Sequence, residues 1–222
     1  MGGAKFDQYK PSLPVAVRPP KKKYDKSLGK IIRPWKQFSE IVDLLDALRE
    51  SSSDATPQKL ATVLIQDISY SPELVEKFSI ALGNYSEIQD FGWKAGLFLS
   101  ALINNGKGKR YTIQTSSYGD ELCRLCYQNT KDVVVHGDAG ESPFLGMLSG
   151  NVEINGTSYA PGVFMKGGVI KLNGDAMEDD VFYVSIGNLQ GGAILVNGNI
   201  ETEPKDIEHG KVYHNGRLIV DK

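Results

Sequence analysis

Five phrases decide how this chain folds: VVVHGDAG at 133–140, VEINGTSY at 152–159, VIKLNGDA at 169–176, AILVNGNI at 193–200 and KVYHNGRL at 211–218. Each runs from an alternating apolar stretch into His-Gly or Asn-Gly. Their glycines, Gly137, Gly156, Gly174, Gly198 and Gly216, are 19, 18, 24 and 18 residues apart. A unit of that length repeated along a chain marks a solenoid. Val133 and Val135, Val152 and Ile154, Ile170 and Leu172, and Ile194 and Val196 alternate, so each pair shares one face of a strand. Stacked coils bury those faces as one stripe. The glycine after each strand is expected to take a positive φ at a corner, with the preceding Asn tolerating the same region. A second corner precedes the strand at Leu148-Ser149-Gly150, Met165-Lys166-Gly167-Gly168 and Leu189-Gln190-Gly191-Gly192. Strand character begins earlier still, at Tyr111–Thr115. Taking Thr115 as the counterpart of Gly137 adds an interval of 22 residues and predicts about six coils, ending in Arg217–Val220. A β-sandwich also alternates strands and turns. The matched corners favour the solenoid.

Upstream of the repeats the period changes. Phe38, Ile41, Val42, Leu45 and Leu48 fall on one helical stripe flanked by Leu44. Thr56-Pro57 reads as an N-cap followed by proline at the first helical position, with Leu60, Val63 and Leu64 as the apolar face. Ser71-Pro72-Glu73 repeats that start, leading Leu74, Val75, Phe78 and Leu82 to a stop at Gly83. A fourth stretch over 86–104 stops at Asn104-Asn105-Gly106. These features predict a small helical bundle over 35–106, ahead of a single-stranded β-helix (β-solenoid) over 110–222, in the α+β class. The bundle is placed to cover an open end of the solenoid, whose unpaired backbone groups invite aggregation. Trp35, Phe38, Phe78, Phe91, Trp93 and Phe98 read as core at helical spacing rather than as a cofactor pocket.

The first 34 residues form a basic, proline-rich arm. Residues 1–36 carry a net charge of +8 and residues 37–222 carry −10. Five prolines, Pro11, Pro14, Pro19, Pro20 and Pro34, argue against a helix or central strand there. Lys21, Lys22 and Lys23 are the candidate contact for a polyanion. The acidic body argues against a broad nucleic-acid footprint, so an arm draped on its own body or on a partner subunit is the simpler reading. Two cysteines, no transmembrane-length apolar run and no signal-peptide core imply a cytoplasmic protein without membrane contact.

The strings HGDAGESPFLGMLSGNVEING, MKGGVIKLNGDA and LQGGAILVNGN resemble the GXGXG-type right-handed β-helix. That domain closes the large subunit of glutamate synthase and forms much of one subunit of formylmethanofuran dehydrogenase. Gly167, Gly168, Ile170, Leu172, Gly174, Asp175 and Ala176 match one unit of that pattern. Gly191, Gly192, Ile194, Val196 and Gly198 match a second, and Gly150, Val152, Ile154 and Gly156 a third. An insertion around Glu178-Asp179-Asp180, and Glu201–Pro204 in place of a glycine-rich turn, depart from it. The resemblance implies a spacer or docking domain and brings no catalytic residue with it.

Cys123-Arg124-Leu125-Cys126 is a CxxC, which serves as half a metal site or as a redox pair, and His136 is the nearest further ligand. The competing reading stacks both cysteines inward as small hydrophobes. It also places His136 in a polar ladder with Asn155, Asn173, Asn197 and Asn215, to which His214 adds nothing. Asp138, Glu141, Glu178, Asp179 and Asp180 read as a solvated acidic surface rather than a cation site. No phosphate-binding loop, nucleophile elbow or HExxH occurs. The expectation is a scaffold or assembly protein without catalytic activity or cofactor, acting through a protein partner or as a homo-oligomer. The alternative is a redox-enzyme subunit, or a β-helix enzyme with a carboxylate or metal site.

Overall fold

In the computed structural model, residues 26–47 and 55–222 are described. Four helices precede a parallel β-solenoid: α1 (Gly29–Ala47), α2 (Ala55–Ile65), α3 (Pro72–Leu82) and α4 (Phe91–Asn105). Among the described residues, no helix is long and apolar enough to cross a membrane. The arm through Asp25, with Lys21, Lys22 and Lys23, lies outside the described residues, as do Leu48 and the side chain of Leu45.

The first helix begins at Gly29, six residues before the expected start, and holds Pro34 within it. Leu28, Ile31, Ile32 and Trp35 are all buried. Their spacing is helical, and their burial outweighs the hydrogen bond that proline cannot make. Residues 29–34, expected in the arm, belong to this helix. Trp35 sits within 5.5–6.5 Å, ring to ring, of Phe38, Phe78, Tyr85, Phe91 and Phe98, which makes it the hub of the helical core. In α2 the buried face is Pro57, Ala61 and Ile65, and Val63 points to solvent. Ser71 caps α3 as expected, its Oγ accepting from the Leu74 N–H at 3.4 Å. After Leu82 the chain stays right-handed through Gly83 and enters a 3-10 turn.

The large sheet contains β1 (Arg110–Gln114), β2 (Asp132–His136), β4 (Asn151–Ile154), β6 (Val169–Leu172), β8 (Ala193–Val196), β9 (Lys211–His214) and β10 (Arg217–Asp221), in that spatial order. A smaller sheet stacks β3 (Ala139–Glu141), β5 (Ser158–Tyr159) and β7 (Ala176–Met177). Register runs straight across the coils. Gln114 pairs with His136, which sets Thr115 beside Gly137 as its expected counterpart. Tyr111, Val133, Val152, Ile170, Ile194 and Val212 form one inward column; Ile113, Val135, Ile154, Leu172 and Val196 form the next.

Six parallel rungs enclose five turns. The expected sixth coil is cut short, because β10 turns back antiparallel on β9. Asn215 (φ 50°) and Gly216 (φ 75°) form the two-residue hairpin turn, the arrangement Asn-Gly favours between apolar strands. A bulge at Ile219 interrupts the pairing and blunts this edge. The opposite edge is covered by α3, where Ser79 Oγ accepts from the Gln114 N–H at 2.9 Å.

Of the five phrase glycines, Gly137 (φ 114°) and Gly216 (φ 75°) take the expected positive φ, and the other three have a different cause. Gly156, Gly174 and Gly198 do not adopt positive φ. A Cβ on any of them would lie 2.3–2.4 Å from the carbonyl oxygen of the glycine one coil earlier. Close stacking of coils demands them. At the other corner positive φ recurs in every coil, at Gly150, Gly168, Gly192 and Gly210.

Candidate functional site

The third side of the solenoid is built from left-handed residues in register. Arg124, Ser142 and Ala160 form one column of positive φ; Cys126, Phe144 and Gly162 form a second; Gln128, Gly146, Phe164 and Asn188 form a third. Their N–H groups bridge coils, as in Ser142 to Tyr159 O (2.8 Å), Phe144 to Leu125 O (2.7 Å) and Gly146 to Val163 O (2.8 Å). Most of these residues are not glycine, so the ladder of bonds holds each in a conformation that it would avoid alone.

This side carries an exposed apolar patch. Leu148, Phe164, Val181 and Tyr183 are 40–67% exposed. Phe164 packs edge-on against Phe182 at 5.6 Å, and the Arg124 guanidinium lies 5.9 Å over the Phe182 ring. Tyr127, Leu145, Leu148 and Phe164 line a groove of about 270 Å³ beside it. Phe164 (φ 55°) and Tyr183 (φ 54°) are bulky residues held left-handed and still turned to solvent.

Residues 178–183 present half of this patch. They are the six extra residues of the 24-residue interval. Asp179 N–H bonds Val184 O at 3.3 Å, so the insertion leaves and rejoins the coil at one point. The Asp179 carboxylate is fully buried. It accepts from Ser142 Oγ (2.5 Å), Val181 N–H (2.6 Å) and Phe182 N–H (2.9 Å). It is thus an internal clamp, not part of a solvated acidic surface. Asp138 is also structural, its Oδ1 accepting from Thr157 N–H at 2.6 Å. Glu141, Glu178 and Asp180 line a shallow depression with Tyr159.

The three candidate metal ligands are not brought together. Cys126 is fully buried on the third side, Cys123 is half-buried beside Glu141 (Sγ to Oε2, 3.5 Å), and His136 stands exposed on the large sheet. Among the described residues, no three His, Cys, Asp or Glu side chains converge to hold a metal. His136 instead starts the polar ladder: its Nδ1 lies 3.3 Å from Asn155 Nδ2, Asn173 donates to Asn155 Oδ1 at 2.7 Å, and Asn197 donates to Asn173 Oδ1 at 2.8 Å. His214 stands beside Asn215, at the turn after β9. Its Nε2 lies 3.1 Å from Asn215 Nδ2 and 2.9 Å from Gly198 O.

Burial and the Glu141 carboxylate push the Cys123 thiol up to about 12, and burial pushes the Cys126 thiol up as well. Both thiols are therefore protonated at neutral pH and poor nucleophiles. With a disulfide-exchange reagent at pH 8, the native protein is expected to react at least about tenfold more slowly than the unfolded chain. The unfolded thiols titrate near 8.5, so the unfolded state loses protons first. Their contribution to stability is complete only below about pH 8.5 and is lost as pH rises toward 12, which urea unfolding across that range measures.

No family model matches the chain, and neither the curated proteins nor the solved structures contain a match to it.

Proposed function

We propose that the protein is a non-catalytic scaffold that works through protein–protein contact, in a complex or as a homo-oligomer. The apolar patch of Leu148, Phe164, Val181 and Tyr183 supports this reading. Contiguous exposed apolar surface marks an interaction face, and aromatic residues at such faces anchor partners. The left-handed conformation of Phe164 adds weight. The neighbouring coil places Gly146 at the same register, where no side chain has to be accommodated. A phenylalanine there is not what backbone stability alone selects.

Phe164→Gly tests this. Relief of the left-handed backbone (about 1 kcal/mol) offsets loss of the stack on Phe182 (about 1 kcal/mol), so stability stays within about 1 kcal/mol of wild type. Partner capture from a lysate of the source cells, read against wild type by quantitative mass spectrometry, is expected to fall at least about tenfold. An unchanged set of captured proteins in Phe164→Gly and in Tyr183→Asp would remove the patch as the contact face.

A further inference from the structure

The outward face of the large sheet is complementary to itself. Its central column reads, rung by rung, Thr112, Val134, Glu153, Lys171, Leu195 and Tyr213. At its middle, Lys171 Nζ and Glu153 Oε1 pair at 3.0 Å, with the side chains 45% and 37% exposed. A valine lies one rung to one side of this pair, and a leucine one rung to the other. Reversing the order of the rungs exchanges acid with base and one aliphatic residue with the other.

We infer that this face binds a second copy of the chain, about a two-fold axis that runs along the strands midway between β4 and β6. The inference rests on the scaffold reading and names one of its partners. That operation sets Glu153 against Lys171 of the copy, and Lys171 against Glu153 of the copy. Val134 lies on the floor of a depression of about 380 Å³, lined also by Arg110, Glu153, Val169 and Leu195. Leu195 of the copy enters that depression. On one flank the amide ladder meets itself, Asn155 opposite Asn173 of the copy. On the other flank, Asn151 faces Val169 of the copy. Like charges meet only at the rim, Arg110 with Lys211 of the copy, and Lys211 is already paired with Asp221 at 3.2 Å. Solvent screens a rim contact of this kind.

The size of the face sets the strength. Six rungs about 4.8 Å apart, with strands of four to five residues, cover roughly 24 by 15 Å. Two copies with their side-chain relief bury about 1,000 Å², the lower end for specific association. A reversible dimer at roughly micromolar concentration follows, not an obligate one.

Charge exchange tests the face directly. Glu153→Lys and Lys171→Glu each place like charges opposite each other twice in the dimer. Sedimentation velocity is expected to show self-association weakened at least tenfold in each variant alone. An equimolar mixture of the two restores complementarity across the axis and is expected to recover association to within about threefold of wild type. Recovery on mixing cannot come from the pairing within one chain, which both variants still lack. Leu195→Arg, placed over Val134 of the copy, is expected to abolish the dimer as well. Matching thermal melts check that each variant folds. Single variants that associate as wild type does, a mixture that stays monomeric, or a wild type monomeric at about 200 µM each overturn the inference. Partner capture through Phe164 is a separate readout, so the scaffold reading stands or falls on its own.

Discussion

Gly96→Ala is expected to lower the melting temperature by about 6–12 °C, corresponding to a loss of about 3 kcal/mol or more in a chain of this size. The cause is the seating of α4 on the first coil. Gly92 and Gly96 lie one helical turn apart, on the side of α4 that rests on residues 121–125. A Cβ at Gly96 would stand 1.9 Å from the Cys123 carbonyl oxygen, and one at Gly92 would stand 1.5 Å from that of Glu121. Both obstacles are backbone, so no rotamer change relieves them, and the helix has to move off the coil. Moving it also breaks the bond from Cys123 N–H to Gly92 O (3.3 Å) and those of Ser100, which donates to Arg124 O (3.1 Å) and accepts from Tyr127 N–H (2.9 Å). Gly29→Ala is the control: nothing lies within 4 Å of its added Cβ, and no loss is expected. A Gly96→Ala protein melting within about 2 °C of wild type would show that the helical cap does not depend on this contact.

Asp179→Ala is expected to cost about 3 kcal/mol in urea unfolding. One carboxylate satisfies three donors in a site without solvent, and its removal orphans the Ser142 hydroxyl and two backbone N–H groups together. Bonds to charged groups are worth about 1.5–3 kcal/mol each and do not simply add when one loop carries them all. Asp179→Asn keeps part of the acceptor capacity and is expected to lose about half as much. The loop that Asp179 clamps displays Val181 and Tyr183, so Asp179→Ala is also expected to weaken partner capture at temperatures where the protein remains folded. An unfolding free energy within about 0.5 kcal/mol of wild type sinks the clamp.

The sheet rungs were legible because their apolar residues alternate and the Asn-Gly phrases keep register; even Thr115 falls where spacing put it. The third side was not. Seven of its ten left-handed positions are occupied by Arg124, Cys126, Gln128, Ser142, Phe144, Ala160 and Phe164, none of which advertises that conformation. Only neighbouring coils, through their carbonyls, impose it. Asp179 sits in an acidic run that reads as solvated, and becomes buried because the insertion folds back on itself. Pro34 argued against a helix locally, yet the burial of Ile31 and Trp35 decides the matter. The terminal hairpin did have a sequence signal, since Asn215-Gly216 stands between two short apolar strands. It was masked by its likeness to the preceding phrases, which form corners.

The insertion at 178–183 shows what this architecture permits over generations. Ladders on all three sides tie each residue of a coil to its counterparts above and below, so an added residue has to be absorbed within its own coil, as the shift between Ala139 and Glu141 absorbs the one extra residue of the 19-residue interval. Larger changes in length come in two ways: by a whole coil, or by an excursion that departs and returns at a single rung, as the segment between Asp179 and Val184 does. Variation is thereby confined to detachable outgrowths on an unchanging shaft, and new recognition surface can arise without renegotiating the core.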